Sequence, residues 1–384
     1  MFHGASRFQN LKGAVNIMRK NVVSRQGAVR VAAGVLVAVL GTGLFNPAAA
    51  QPQQGNGVQT HSSVHIGKNV QLGGSLYELV FDPNTRQVLV ADAGGRDKSA
   101  QSYLYRLDAT TLDVVERIAL TQQIHGLALD QQRDVLYMVN TRGGTLTALD
   151  AKSGRTLKTL TLVSDADLEG DQRPPQPRLA VVDEPSNLIY VTGVADKGVV
   201  WVVNGDDMVL ANTFKNVGSR PAGLALDAEH QRIYVTLLGE NRVAVIDTDS
   251  GEVVKTLDLN VKGAINVVFD QRHQRLLVTG QKSGELEVLD AESGKSLHRV
   301  STGKGALDIG LDEDAGRLYV TNRGAGTVSV LDAESLEVIK TLETGPHPNS
   351  IAIDPDNHDV FVTNRASREA ADDPRGNSVT LIQP

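Results

Sequence analysis

Seven short hydrophobic runs, VLVAD, LYMVN, IYVTG, IYVTL, LLVTG, LYVTN and VFVTN, recur along the chain, beginning at Val88, Leu136, Ile189, Ile233, Leu276, Leu318 and Val360. Successive steps are 48, 53, 44, 43, 42 and 42 residues, and the aspartates Asp82, Asp130, Asp183, Asp227, Asp270, Asp312 and Asp354, each closing an upstream hydrophobic run, keep the same spacing. A period near 42 with several short strands per unit is the signature of a β-propeller. The fourth unit shows the pattern most cleanly: GLALD to Asp227, IYVT from Ile233, RVAVID from Arg242 and EVVKTLDL from Glu252. These read as four antiparallel strands a to d, counted outward from the axis. The last unit supplies SIAID, VFVTN and NSVTLIQ and then ends, one strand short. The alternating stretch HSSVHIG, His61 to Gly67, has no unit of its own and is expected to supply that strand. The predicted fold is therefore all-β: a seven-bladed β-propeller with four-stranded blades, its ring closed by an N-terminal strand. Closure of this kind removes open sheet edges.

Residues ahead of the repeats read as a targeting segment. Arg19, Lys20, Arg25 and Arg30 precede an apolar stretch from Val31 to Leu44, and Ala48-Ala49-Ala50 offers a cleavage site. The expected organisation is a cleaved signal peptide over 1–50, a flexible start over 51–60 and the propeller over 61–384. Met18 is an alternative start. The apolar run is short for a membrane span, so no stable membrane insertion is expected after cleavage. An exported monomer is the expectation.

The chain has no cysteine, which excludes disulfides, thiolate metal sites, a catalytic thiol and covalent haem attachment. No nucleophile elbow, zinc-protease helix, phosphate loop or dinucleotide fingerprint occurs, and neither a cofactor nor a metal is expected. Each aspartate after strand a suits an Asx turn, and the Asp-x-x-Ser-Gly turns after strand c place glycine where positive φ is needed. His230 and His273 occupy equivalent turns in successive units. The lone Trp201 lies in the strand VVWVV and reads as packing.

Function is then sought on a face. In a propeller the d-to-a and b-to-c connections emerge at one end of the channel, here called upper, and the a-to-b and c-to-d turns at the lower end. DPNTR, DEDAG, DTDSG and DAESG make the lower face acidic. Upper b-to-c connections carry Arg96, Lys98, Arg142, Lys197, Arg242, Lys282, Arg323, Arg365 and Arg368. His125, Arg178, Arg220 and His347 lie in the d-to-a connections near the channel mouth, and Glu78, Asn266, Asp308 and Asn349 occupy comparable inner positions. The formal net charge of -7 argues against indiscriminate polyanion binding but leaves a local basic patch open. Two segments break the repeat: the insertion SDADLEGDQRPPQPR, carrying Arg173 and Arg178, and TGPHPN, where Pro346 and Pro348 stiffen the approach of His347 and Asn349.

The QRPPQPRLAVVDE stretch, VVWVVNGDD, GPHPNSIAIDPDNHDVFVTN and the seven YVTN-type strands resemble the YVTN-repeat β-propellers of the exported YncE-like family. The resemblance implies a periplasmic protein without established catalysis, with single-stranded DNA binding proposed for a member. The combined reading is a non-enzymatic exported binding propeller. Its ligand-binding candidates at the upper mouth are His125, Arg178, Arg220, Asn266, His347 and Asn349, supported by Glu78, Arg142, Asp308, Arg323 and Arg365. His125, Arg178, Arg220 and His347 are expected to supply positive charge or donors. Single-stranded DNA or another polyanion is the leading ligand. The alternatives are a cell-envelope protein-interaction scaffold and a lactonase-like hydrolase using Glu78, Asp308 and His347.

Overall fold

Strands b and c are apolar along almost their whole length, because each blade packs against neighbours on both of its faces. In the computed structural model IYVTL, Ile233 to Leu237, is buried throughout, whereas Val253–Asp258 at the rim shows four consecutive exposed residues. The structure describes residues 63–95, 97, 99–163, 174–366 and 373–384. The expected signal peptide, the stretch 51–60 and His61, Arg96, Lys98, Arg173 and Arg368 lie outside the described residues.

Twenty-eight strands, β1 to β28 in chain order, form seven antiparallel sheets of four. The protein is a seven-bladed β-propeller. Six blades use four consecutive strands. The seventh runs from β26 (Pro348–Ile353) at the channel through β27 (Val360–Asn364) and β28 (Ser378–Gln383) to β1 (His65–Gln71), which pairs with β28 at the outer edge. The closing strand thus lies about one strand-half later than HSSVHIG suggests. Its register is held by Asn69, whose amide donates to the hydroxyls of Ser378 (2.9 Å) and Thr380 (2.6 Å). Those partners are more than 300 residues away in sequence.

The threonine of YVTN has a specific task. In blade four Pro221 pairs with Leu237 and Leu224 with Val235, so Ala222 and Gly223 both face Thr236 across a bulge. A bulge frees a backbone N–H from the ladder. The Thr236 hydroxyl accepts from Gly223 N (2.6 Å) and donates to the Ile265 carbonyl of the next blade (2.9 Å). Thr192, Thr279 and Thr363 likewise donate to Ala222, Leu307 and Tyr77 of the following blade. All are fully buried, so one side chain repairs the bulge and stitches adjacent blades.

The aspartates behave as Asx caps. Asp130 Oδ1 accepts from Arg133 N, Asp270 Oδ1 from His273 N and Asp312 Oδ1 from Ala315 N. After strand c, Asp247 and Asp290 bind the amide and hydroxyl of Ser250 and Ser293, and Gly251 and Gly294 follow at φ 73° and 75°. Trp201 is buried between blades two and three. Among the described residues there is no helix.

Candidate ligand surface at the channel mouth

The bulges decide what the channel is made of. In six of the seven blades the inner strand presents two successive side chains opposite the YVTN threonine position, giving two stacked rings. The upper ring is Tyr77, Arg178, Ala222, Ile265, Leu307 and Asn349, with His125 at the matching place in blade two, whose inner strand is unbulged. One arc is apolar, since Ala222, Ile265 and Leu307 pack as a cluster. The other arc is polar.

The lower ring contributes Glu78, Asn266, Asp308 and Ser350, and Arg178 reaches this level to form a polar neck. Arg178 donates to Asn266 Oδ1 (3.3 Å), Asn266 donates to Asp308 Oδ1 (2.9 Å), and Asp308 Oδ2 accepts from Ile351 N (2.9 Å). Ser350 donates to Glu78 Oε1 (2.8 Å). Glu78 touches channel space yet protein surrounds it, and this desolvation, with the nearby Asp308 charge, pushes its pKa up to about 8. Burial likewise raises Asp308 and lowers Arg178, while the two carboxylates help retain the guanidinium charge. Among the described residues no group of three His, Asp or Glu is arranged to hold a metal ion.

Above the neck, cationic groups surround one aromatic ring. The Arg365 guanidinium lies 3.9 Å from the Tyr77 centroid and donates to Ser75 Oγ (3.1 Å). Arg323 donates to Asn349 Oδ1, and Asn349 in turn donates to the Tyr77 carbonyl (3.2 Å). Desolvation, reinforced by the Arg365 charge, lowers Arg323 to about 10. His125 meets Tyr77 edge-on, with centroids 4.7 Å apart. Burial, then the charges of Arg142 and Arg365, depress its pKa to about 4, and its Nδ1 has no hydrogen-bond partner among the described residues.

The two faces handle charge differently. At the lower end Arg86, Arg133, Lys152, Arg232, Arg272 and Arg275 each sit against a carboxylate within 3.1 Å, although Arg155 and Lys295 stand outside that network. At the upper end Arg242 pairs with Asp258 and Arg299 with Glu285. Lys197, Arg220, Lys262, Lys282 and Lys304 are exposed there and form no ion pair with any described residue. They follow one another around blades three to six. Arg220 N bonds the Ala195 carbonyl, Lys282 N the Lys262 carbonyl, and Gly324 N the Lys304 carbonyl.

The sequence pattern of the YncE-like beta-propeller family matches residues 98–372. The chain belongs to that family. It is 32% identical over 182 residues to the uncharacterized protein YncE of Escherichia coli (strain K12), and to the same extent to its counterparts in Salmonella typhi and Salmonella typhimurium. The match covers 47% of this chain and 51% of each relative, so the chain spans about half the length of the curated relatives it matches.

In this YncE-like propeller the expected site residues separate into three groups. His125, Asn349, Arg323 and Arg365 meet around Tyr77. Arg178, Asn266, Asp308 and Glu78 meet one level lower, in the neck, so Arg178 is drawn away from the open mouth. Arg220 is exposed on the upper face, Arg142 bonds Gln123 Oε1 (3.1 Å), and His347 turns at φ 47° with its carbonyl accepting from Arg365 N. His125 offers a neutral imidazole rather than a positive charge near neutral pH, because burial beside two arginines disfavours its cation. Glu78 and Asp308 are neighbours in the neck. Sequence reasoning missed Tyr77, Lys262 and Lys304. Reading the repeat column by column from the YVTN threonine would have exposed the first, and counting lysines in the d-to-a connections the other two.

Proposed function

We propose that this chain is a non-enzymatic, exported binding propeller that holds a polyanion, single-stranded DNA in the leading form, across its upper face in the periplasm. The observation that carries this reading is the segregation of charge: lower-face arginines are largely neutralised by carboxylates, while an arc from Lys197 through Arg220, Lys262, Lys282 and Lys304 is not. The arc leads to Arg323 at the mouth, where Tyr77 gives one aromatic surface for a base. Base stacking on aromatic side chains combined with a cationic track is the usual basis of sequence-tolerant single-strand binding.

The test is fluorescence anisotropy of a labelled single-stranded oligonucleotide with residues 51–384, at several salt concentrations and with duplex DNA as competitor. Affinity should fall with salt. A Lys262→Ala/Lys282→Ala/Lys304→Ala variant should flatten the log–log slope by about 2, at about 0.7 for each phosphate no longer neutralised. Absence of binding at about 50 mM salt, where phosphate neutralisation is strongly favoured, or an unchanged slope in the triple variant, refutes the reading and moves attention to envelope protein partners.

A further inference from the structure

A cavity lies at the opposite end of the channel. Below the neck a cavity of about 570 Å³ opens toward the lower face, with Glu78 at its inner end, Val80, Leu311 and Ile353 along its walls, and Glu313 and Asp314 at its entrance. That volume is typical of a small-molecule pocket. The Glu78 carboxyl lines this cavity; its Oε1 accepts from Ser350, and no described residue donates to Oε2. A carboxyl oxygen that no described side chain serves, at the inner end of a cavity walled in part by apolar side chains, is open to a donor from outside the protein.

We propose that the lower channel binds a small aliphatic ammonium ligand, with its charged head on Glu78 Oε2 and its hydrocarbon along Val80, Leu311 and Ile353. Both ends of the pocket favour a cation over an anion. Other groups around Glu78 are Asp308 from the sixth blade, Ser350 from the seventh, Arg178 from the third and, from the second, the His125 main-chain carbonyl, which accepts from Glu78 N. Burial and Asp308 keep Glu78 protonated at neutral pH, with Arg178 opposing them only in part. Binding then exchanges one cation for another: the carboxylic acid gives its proton to solvent, and the ammonium takes its place against the carboxylate. One proton is released per ligand bound, and affinity rises about tenfold per pH unit until Glu78 is ionised in the free protein.

Isothermal titration of residues 51–384 with n-hexylammonium, and with hexanoate as the anionic counterpart, tests this at pH 6.5, 7.5 and 8.5. The expected result is one hexylammonium site that tightens about tenfold per unit between pH 6.5 and 7.5, no hexanoate site, and release of one proton detected by comparing buffers of different ionisation enthalpy. Glu78→Gln keeps the neutral shape of the acid, so the fold should persist, but it should weaken binding at least tenfold at pH 8.5 and abolish the pH dependence. Leu311→Trp should weaken binding without removing proton release. The proposal is overturned if hexanoate binds as well as hexylammonium, if millimolar hexylammonium gives no heat, or if folded Glu78→Gln binds like the parent. Since the upper arc is untouched by these variants, oligonucleotide binding separates failure here from failure of the polyanion reading.

Discussion

Replacing Thr236 by valine removes a hydroxyl while preserving shape. The side chain is wholly buried, and its oxygen serves the freed Gly223 N–H at 2.6 Å and the Ile265 carbonyl of the next blade at 2.9 Å. Valine leaves both backbone groups buried without a partner. Each such loss costs about 1–3 kcal/mol, so Thr236→Val should destabilise by about 2–6 kcal/mol. Thr236→Ser keeps the hydroxyl and gives up one methyl, at about 1 kcal/mol. Blades one and two explain why other residues are tolerated elsewhere. Val139 stands at the threonine position opposite Gly126 in a regular, unbulged pairing, and Ala91 is accompanied by a bulge amide, Glu78 N, that bonds the His125 carbonyl instead.

Urea unfolding followed by circular dichroism reads the difference. With a slope of about 3 kcal/mol per molar, the valine variant should shift the midpoint down by about 1 M and the serine variant by about a third of that. If valine costs no more than about 0.5 kcal/mol, or serine costs as much as valine, the threonine is a packing residue and its proposed bridging of blades is wrong.

Further outcomes follow from buried charge and from ring closure. Glu78 binds a proton in the folded state up to about pH 8 that the unfolded chain releases near 4.5, so its stabilising effect is full below 4.5 and is lost as pH rises through 8; urea midpoints should fall across that window, and Glu78→Gln should flatten the trend. His125 has the opposite sign: its pKa is depressed, so it withdraws stability as pH falls from 6.5 toward 4, a loss that His125→Gln should remove in acid titrations. Asp270→Ala strips the buried Arg275 of its 2.7 Å partner and the His273 turn of its cap, and should cost about 3–5 kcal/mol in the same assay. A chain beginning at Leu72 lacks the closing strand and exposes the edge of Ser378–Gln383; light scattering should show self-association relative to residues 51–384.

The architecture is legible because a propeller repeats its physics. Blade count, strand order and the capping aspartates come from local patterns that recur with the YVTN runs. The sequence reveals a closing strand but places it somewhat early; the pairing of His65–Gln71 with Ser378–Gln383 and the bonds from Asn69 to Ser378 and Thr380 set the register, and both depend on partners at the far end of the chain. Sorting connections by face groups Arg323, Arg365, Asn349 and His125 at one end, and the structure brings these four around Tyr77, because topology alone fixes which loops share an end. It does not show that Arg178 bonds Asn266 in the neck, or that His125 is desolvated into its neutral form, because both depend on enclosure by distant blades.

The bulge offers a way past that limit. Strands b and c are nearly interchangeable from blade to blade because both faces of each blade must pack, and the capping aspartates are nearly invariant because each closes the same turn. Neither constraint acts on the two bulge residues, whose side chains meet the channel. There the seven blades diverge: Tyr77, His125, Arg178, Ala222, Ile265, Leu307 and Asn349 in one ring, with Glu78, Gly126, Leu179, Gly223, Asn266, Asp308 and Ser350 beneath. Gly126 and Gly223 also mark where no side chain fits, since an added Cβ would approach the Arg178 carbonyl to 2.6 Å and the Asn266 Cα to 2.6 Å. Much of what distinguishes one blade from the next therefore lies along the channel, where the neck separates the mouth around Tyr77, Arg323 and Arg365 from the carboxyl-ended cavity below.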